Sequence, residues 1–263
     1  SSKKKMRLNQ INELGFTEVF TINFNSDVLT NLQKKIYEIT KDLIIDHDLN
    51  LEIEKKISLP FSKIPSKKIW SELMETINNS EEFSNLINSD EIINTFKSIH
   101  KKPKIFKIST FRARFPEQNR VVYNWHQDEG TWFMSKKEDL LTKFPTTLWF
   151  SINGASKKES IQLVKKSHKL KLFEHKYVEG QGFFNLKDNS FINHDLIETI
   201  ETLPSECIMF NSLTIHRSVE NKSINMRPRY SADIRYYDEI EENKKIKIDN
   251  FFKIKRAFKN FFK

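Results

Sequence analysis

The stretch KIFKISTFRARF, residues 104–115, is where the chain changes from helical to strand-like character. Its apolar and polar residues alternate, as is typical of a half-buried strand. Four more strand-like runs follow, at TTLWFSI (146–152), SIQLVKK (160–166), ECIMFNSLTIH (206–216) and RYSADIRYY (229–237). Many short strands separated by loops predict a sandwich or jelly-roll barrel, so we expect a mainly β core from about residue 104 to residue 237.

The part of the chain before this core is predicted to be helical and to flank it. Residues 26–45 and 67–100 place apolar side chains at helical spacing, and Ser26 is the expected cap of the first helix. The apolar run GFTEVF, within residues 10–24, predicts one short strand ahead of these helices. No strong boundary divides the 263 residues. We therefore expect a single domain with a helical part (about 1–103), a jelly-roll core (about 104–237) and a basic tail (238–263).

Composition limits the class of protein. The one cysteine, Cys207, excludes an internal disulfide framework and a cysteine zinc site, and it fits a reducing compartment. With no recognisable secretory signal or membrane span, this predicts a cytoplasmic protein. The net charge is +9, but residues 244–263 hold eight basic residues and one acidic residue. The rest is nearly balanced, so we expect no nucleic-acid-binding face, whereas an anionic ligand remains possible.

The motif NWHQDEGTW (124–132) contains the strongest candidates for a metal site. If His126 and Asp128 lie in a strand, they share one face, and an imidazole beside a carboxylate suits a divalent metal. An exposed polar turn is the alternative for so short a motif. His216, at the end of a strand-like run, would supply a third ligand, although it could instead bind a loop carbonyl. Two histidines and one carboxylate leave three coordination positions open, as in non-haem Fe(II) oxygenases.

Two arginines after His216 are candidates for binding a carboxylate. Arg229 and Ser231 share one face of a strand, and a guanidinium beside a hydroxyl is a good carboxylate receptor. Arg227 lies two residues earlier, could share that face and is the rival. Either arginine could also be an ordinary surface residue.

In this order, the motifs resemble those of the phytanoyl-CoA dioxygenase family of Fe(II)/2-oxoglutarate-dependent oxygenases. The resemblance covers about residues 107–237 and, more weakly, the INELGFTEVF opening (11–20). The matching segments are WHQDEG (125–130), TTLWFSINGASKKESIQLVKKSHK (146–169), and HRSVENKS with RPRYSADIRYY (216–237). The stretch KKESIQLVKKSH (157–168) lacks the Asn-Gly and Pro-Gly turns common in the family, so this loop is expected to be rebuilt.

The resemblance implies a double-stranded β-helix core, an iron site and a cosubstrate site. It implies Fe(II) as the metal, 2-oxoglutarate and O2 as cosubstrates, and C–H hydroxylation as the reaction; because the carboxylate ligand is retained, hydroxylation is favoured over halogenation, while desaturation or ring chemistry stays open. The iron ligands it implies are His126, Asp128 and His216, and the 2-oxoglutarate contacts are Trp149, Ser218 and Arg229. Ser231 joins the second group by its spacing from Arg229.

Arg112 and Arg114 bear on the substrate, because they share one strand face just before the His-Gln-Asp motif. They could bind a phosphate or carboxylate, or they could lie on a solvated face. We expect a small anionic substrate, such as a phosphorylated or activated sugar, a phosphonate or an acyl thioester.

Other features keep competing interpretations open. NFFKIKRAFKNFFK (250–263) has helical amphipathicity that suits docking on the barrel or a second subunit, or peripheral contact with an anionic membrane through residues 251–263. The alternatives to an oxygenase are a jelly-roll binding protein without oxygenase activity and a membrane- or nucleic-acid-associated module that uses the basic tail. The oligomeric state is left open. We expect His47, His100, His175 and His194 to be structural or solvent-facing. His168, in the KKESIQLVKKSH segment, is not expected to be a metal ligand.

Overall fold

The computed structural model describes residues 2–44, 50–106, 108–116, 123–134, 145–179, 183–219, 221 and 226–239. The expected amphipathic segment at 251–263 and His47 lie outside the described residues.

The helices cluster before the core, as the sequence predicts. They are α1 (Ser2–Leu14), α2 (Val28–Thr40), α3 (Ile53–Lys56), α4 (Lys67–Asn78), α5 (Glu81–Ile87), α6 (Asp90–Phe96) and, within the core, α7 (Asp128–Met134). Serine hydroxyls cap α4, α5 and α6 by accepting a backbone N–H of the first turn. The expected cap at Ser26 is wrong, because α2 begins after Asp27 and has no side-chain cap.

The strands form an antiparallel core. They are β1 (Phe20–Thr21), β2 (Pro103–Ile105), β3 (Thr110–Arg114), β4 (Thr146–Ser151), β5 (Ile161–Val164), β6 (His175–Val178), β7 (Phe183–Leu186), β8 (Ile197–Thr199), β9 (Glu206–Asn211), β10 (His216–Ser218) and β11 (Arg229–Asp238). The large sheet has the order β1-β9-β4-β11-β2, and β3 also pairs with β11. A smaller sheet has the order β10-β5-β8, and β6 pairs with β7.

The two larger sheets pack face to face. Trp149, Ile208 and Phe210 of the large sheet share an apolar cluster with Ile161 and Leu163 of the small sheet. The opposite face of the large sheet packs against the helices in the main hydrophobic core. The expected mainly β core with flanking helices is confirmed, and its architecture is that of a double-stranded β-helix.

Strand β11 shows how one strand serves both faces of the large sheet. Its apolar residues point to the helices and its polar residues point between the sheets, because successive side chains alternate. The outer set is Tyr230, Ala232, Ile234 and Tyr236, all in the main core. The inner set is Arg229, Ser231, Asp233 and Arg235, all of which contact one another or the site described below.

Three expected strands differ in detail. The strand predicted at GFTEVF (15–20) is shorter than expected: helix α1 ends just before this run, at Leu14, and only Phe20–Thr21 is a strand. Residues 104–115 divide into β2 and β3, which pair with successive parts of β11. Residues 206–216 break at a turn after β9, where the side chain of Asn211 accepts the N–H of Leu213 and carries the chain into the small sheet.

Candidate metal centre and cosubstrate pocket

The structure brings together the three residues expected to bind a metal. His126, Asp128 and His216 are all buried, and their potential ligand atoms lie within 4.8 Å of one another. Asp128 Oδ1 is 3.7 Å from His126 Nε2 and 3.5 Å from His216 Nε2. Two imidazole nitrogens and one carboxylate oxygen at these distances form a suitable divalent metal site.

Backbone pairing explains this convergence across 90 residues of sequence. The N–H groups of His126 and His216 donate to each other's carbonyl oxygens at 3.0 Å. Asp128 does not continue a strand, as the spacing argument assumed, but is the first residue of α7. Its position suits a carboxylate, because acidic groups are favourable in the first turn of a helix. The side chains of His126 and Asp128 therefore face the same point because the chain passes from a strand bridge into a helix between them.

Hydrogen bonds on the far side of each imidazole direct its other nitrogen toward the cluster. Nδ1 of His126 lies 2.7 Å from the carbonyl of Asn124, and Nδ1 of His216 lies 2.9 Å from that of Thr214. A carbonyl only accepts, so each Nδ1 donates and each Nε2 keeps its lone pair for a metal. Burial, together with the neighbouring His216, holds the pKa of His126 well below its ordinary value, which keeps this imidazole neutral.

The carboxylate of Asp128 is oriented in the same way. Its Oδ2 accepts from Thr147 Oγ1 at 2.8 Å and from Arg235 Nε at 3.2 Å. Burial alone would raise the pKa of Asp128, but the Arg235 guanidinium and His216 outweigh it and hold this pKa well below its ordinary value. Oδ1 of an ionised carboxylate is thereby left facing the two imidazoles.

The residue between the two first ligands anchors the whole segment. Gln127 is fully buried, and its side chain donates to the carbonyls of Lys171 (2.8 Å) and Leu213 (2.9 Å) and accepts from Phe173 N–H (2.9 Å). Its backbone N–H donates to Nε2 of His175 at 3.0 Å. Burial lowers the pKa of His175 to about 4, so the acceptor nitrogen is unprotonated at neutral pH. The structural interpretation of His175 is correct, but no pattern in the sequence indicated Gln127 as its partner.

Helix α7 approaches His175 so closely that only glycine fits between them. A Cβ on Gly130 would lie 2.1 Å from His175 Cε1, well inside van der Waals contact. The contact fixes α7, which starts at Asp128, against β6.

A cavity of about 370 Å³ adjoins the three candidate ligands, within the size range of small-molecule sites. Its aromatic lining is Trp70, Tyr123, Trp149, Phe183, Phe184 and Phe210. The residues expected to contact cosubstrate or substrate that line it are Arg112, Arg114, Trp149, Ser218 and Arg229. Ser231 is fully buried beside it and accepts a hydrogen bond from Arg229.

The two rival arginines occupy different surroundings. Arg229 is 2% exposed, and its Nε donates to the carbonyl of Glu159 at 3.1 Å, with the ring of Trp149 5.5 Å away. Burial lowers the pKa of Arg229 to about 9, so the guanidinium is charged at pH 7. Arg227 forms an ion pair with the carboxylate of Glu159 at 2.7 Å and lines a separate surface groove. Of the two, Arg229 is the one that reaches the cavity.

A charged chain that sequence reasoning missed runs along the inner face of β11. Asp233 Oδ2 accepts from Arg112 Nε at 3.1 Å and lies 3.5 Å from Arg235 Nη2. Arg112 also donates to the hydroxyl of Tyr123 at 2.9 Å. Counting in steps of two from Arg229 would have placed Asp233 and Arg235 on this face.

The remaining described histidines lie apart from this cluster. His168 contacts the carbonyl of Asn12 at 3.1 Å, so its exclusion as a ligand agrees with the geometry. His100 is buried against Thr146, and His194 is exposed. No helix in the described ranges has both the length and the apolar character needed to cross a membrane.

Comparisons with known proteins agree with this geometry. The family model of phytanoyl-CoA dioxygenase matches residues 15–229. A search of curated proteins finds no match. The fold resembles apo EctD from S. alaskensis (15% identity, TM-score 0.57, 90% of this chain and 76% of that chain). It also resembles the non-heme α-ketoglutarate-dependent carbocyclase SnoK from nogalamycin biosynthesis (13%, 0.57, 89% and 83%). EvdO2 from Micromonospora carbonacea var. aurantiaca, complexed with 2-oxoglutarate, is similar too (11%, 0.57, 88% and 89%).

The family match, the double-stranded β-helix and the His-x-Asp…His cluster together define an Fe(II)- and 2-oxoglutarate-dependent oxygenase, an enzyme that uses iron, 2-oxoglutarate and O2. Because the family model covers most of the sequence, the chain belongs to the phytanoyl-CoA dioxygenase family.

Proposed function

We propose that this oxygenase hydroxylates a C–H bond of a small anionic metabolite at an iron site formed by His126, Asp128 and His216. The observation that carries the proposal is the convergence of two Nε2 lone pairs and one carboxylate oxygen, whose opposite atoms are all hydrogen-bonded within the protein. When bound there, Fe(II) supplies O2 activation coupled to oxidative decarboxylation of 2-oxoglutarate to succinate and CO2. The carboxylate ligand favours hydroxylation over halogenation, which needs its place for a halide.

The residues proposed to hold 2-oxoglutarate are Arg229, Ser231, Ser218 and Trp149. Arg229 uses two of its N–H groups on Glu159 and Ser231, and a guanidinium has five to offer. A buried, charged guanidinium beside the aromatic rings of the cavity is well suited to bind a carboxylate. The rings of Trp149 and Phe210 exclude water from this end of the cavity and strengthen that attraction.

Arg229→Lys tests the cosubstrate site. The KM for 2-oxoglutarate, measured by succinate formation with Fe(II), should rise about tenfold or more, because lysine cannot reproduce the guanidinium fork. Arg227→Lys is the matched control, since Arg227 contacts Glu159 outside the cavity, and it should leave this KM unchanged. The opposite pattern would make Arg227 the anchor.

The anionic substrate is supported by the charge of the cavity. Among the described residues, five arginines and two aspartates line it. Arg112 has the more exposed position of the two arginines on β3, at 26% of its side chain. A screen of phosphorylated, phosphonate and thioester metabolites for stimulated succinate formation should identify a substrate whose KM rises in Arg112→Ala and Arg114→Ala. If neither variant changes KM, these arginines do not bind the substrate.

For the C-terminal segment 251–263 we propose docking of its Phe-rich face on the barrel or on a second subunit. Sedimentation of the full-length protein with phosphatidylserine vesicles would instead show membrane contact. The buried thiol of Cys207 supports a cytoplasmic location.

A further inference from the structure

The cavity beside the metal cluster has a buried end and a partly exposed end. Trp149, Phe210 and Arg229, at the end proposed for 2-oxoglutarate, are each 2% exposed. Four aromatic residues that line the same cavity are partly exposed, and together they are called the aromatic rim: Trp70, Tyr123, Phe183 and Phe184. Because the cosubstrate takes the buried end, a substrate that enters from solvent meets the aromatic rim.

Trp70 of the aromatic rim comes from the helical part of the chain and is fixed against β3, the strand that carries Arg112. Its indole Nε1 donates to the carbonyl of Ala113 at 2.9 Å. One turn further along α4, Met74 Sδ accepts from the N–H of Ala113 at 3.3 Å. After a second turn, Asn78 Oδ1 accepts from a backbone N–H of β3 at 2.7 Å. Since residues four apart share one helix face, α4 takes the place of a neighbouring strand there and holds the indole at the cavity wall.

The aromatic rim offers carbon rather than hydrogen-bonding groups to a ligand. The only polar side-chain atom of Trp70 is its indole N–H, which is already donated to β3. Phe183 and Phe184 have no polar side-chain atom, and the hydroxyl of Tyr123 already accepts from Arg112 Nη1 at 2.9 Å. A sugar body would therefore lose hydrogen bonds to water that the rim does not replace, whereas an apolar body has none to lose.

The rings extend from an arginine that can bind an anion to a candidate iron ligand. The guanidinium of Arg112 lies 4.9 Å from the ring centroid of Tyr123, and 26% of its side chain is exposed. The ring centroid of Phe183 lies 4.1 Å from that of Tyr123 and 4.7 Å from that of His126. The body of a molecule whose anionic group binds Arg112 therefore lies along these rings and toward the metal cluster.

We infer that the substrate is an anion with an apolar body, and that Trp70 contacts this body and determines specificity for it. The inference rests on the proposed function and narrows its substrate class. Anions with an aryl or alkyl body are retained among the expected substrates, and phosphorylated sugars are excluded. Burial of the apolar body against the aromatic rim supplies affinity, while the anionic group fixes its direction in the cavity.

Calorimetric titration of the full-length protein tests the inference without requiring turnover. The protein is loaded with Mn(II) and 2-oxoglutarate and titrated with two matched pairs of probes, benzyl phosphate with glucose 6-phosphate, and benzoate with glucuronate. The members of each pair share an anionic group and a six-membered ring, but the second member carries hydroxyl groups on that ring. In at least one pair the apolar member should bind about tenfold more tightly or better.

Variants of Trp70 then connect the preference with the aromatic rim. Trp70→Ala removes the indole, so the affinity for the apolar member should fall about tenfold, while that for the sugar member should change by less than about twofold. Trp70→Phe keeps an aromatic ring and should retain most of the preference. Met74→Ala is the matched control, because Met74 contacts the same Ala113 but does not line the cavity, and it should leave the preference unchanged.

The inference is overturned if neither apolar probe binds, or if the sugar member of each pair binds as tightly as its partner. It is also overturned if Trp70→Ala keeps the preference, or lowers both affinities equally, since Trp70 would then act only through the position of β3. In all these cases the proposed function stands, provided that 2-oxoglutarate binds to the Mn(II)-loaded protein in the loading titration. Failure of that binding would overturn the proposed function and the inference with it.

Discussion

The candidate metal ligands are oriented by what their opposite atoms bind. Carbonyl oxygens fix the tautomers of His126 and His216, while Thr147 and Arg235 occupy the far oxygen of Asp128. Such partners raise ligand basicity and reduce the conformational freedom lost when a metal binds. The affinity of the site therefore depends on residues that never touch the metal.

Thr147→Val should weaken Mn(II) binding by about 10- to 100-fold, because Asp128 loses its 2.8 Å hydroxyl donor while the shape of the side chain is kept. Equilibrium titration followed by electron paramagnetic resonance measures this directly. Thr146→Val is the matched control, since Thr146 precedes it on β4 but contacts His100. Equal affinities in the two variants would contradict a role for Thr147 in orienting Asp128.

His175→Gln should change the pH dependence of stability. The pKa of His175 is about 4 in the folded protein against an ordinary value of 6.5, so between these values the unfolded chain binds more protons. The wild-type free energy of unfolding should therefore fall by about 3 kcal/mol from this residue as pH drops from 6.5 to 4. Urea unfolding at several pH values should show that the free energy of unfolding of the variant falls less than that of wild type over this pH range. Parallel pH profiles for the two proteins would be the contrary result.

At the scale of elements, β11 is the strand that joins stability to function. Its outer residues complete the core under the helices, and its inner residues reach the metal cluster and the cavity. The strand pairs with β4 along one edge and with β2 and β3 along the other, so its position is fixed from both sides. Substitutions on its two faces should accordingly have separable effects.

Ile234→Ala tests this separation on the outer face. Ile234 is fully buried, and its truncation should lower the free energy of unfolding by about 2–5 kcal/mol, measured with urea. Mn(II) affinity of the remaining folded protein should stay within about twofold of wild type, because the inner side chains of β11 are unchanged. A large loss of affinity would show that the two faces are coupled.

Alternation along strands allowed much of this element to be predicted from sequence. The strand 229–237 and the shared face of Arg229 and Ser231 are found in the structure nearly as expected. The start of helix α7 at Asp128 was not predicted, because a single bridge residue followed by a helix leaves no periodic pattern in the sequence. The contacts of Gln127 could not be predicted from the sequence either, since they join segments about 45 and 86 residues apart.

At the scale of the whole molecule, the metal cluster connects distant parts of the chain. His126 and Asp128 lie between β3 and β4 of the large sheet in sequence, whereas His216 begins β10 of the small sheet. Order among the motifs identified the family, but only tertiary pairing between these segments determines their distances. A ligand that binds all three residues should therefore stabilise the molecule as a unit.

Mn(II) with 2-oxoglutarate should raise the free energy of unfolding by about 2.7 kcal/mol at a ligand concentration 100 times Kd, observed as a higher Tm. The chelator EDTA should reverse the shift. His216→Ala should abolish it, because one of the three converging ligands is lost. A variant that still shows the full shift would place the metal elsewhere.

The contact between Gly130 and His175 has a consequence for engineering. Since a methyl group at position 130 would overlap the imidazole ring, mutant libraries aimed at new substrates should leave Gly130 and His175 unvaried. Diversity belongs at Phe184 of β7, whose side chain lines the cavity and contacts Tyr177, whereas the ring of Phe183 packs edge-on against that of His126 at 4.7 Å. The contact between Gly130 and His175 therefore tolerates no added atom, whereas the β7 side of the cavity can be varied.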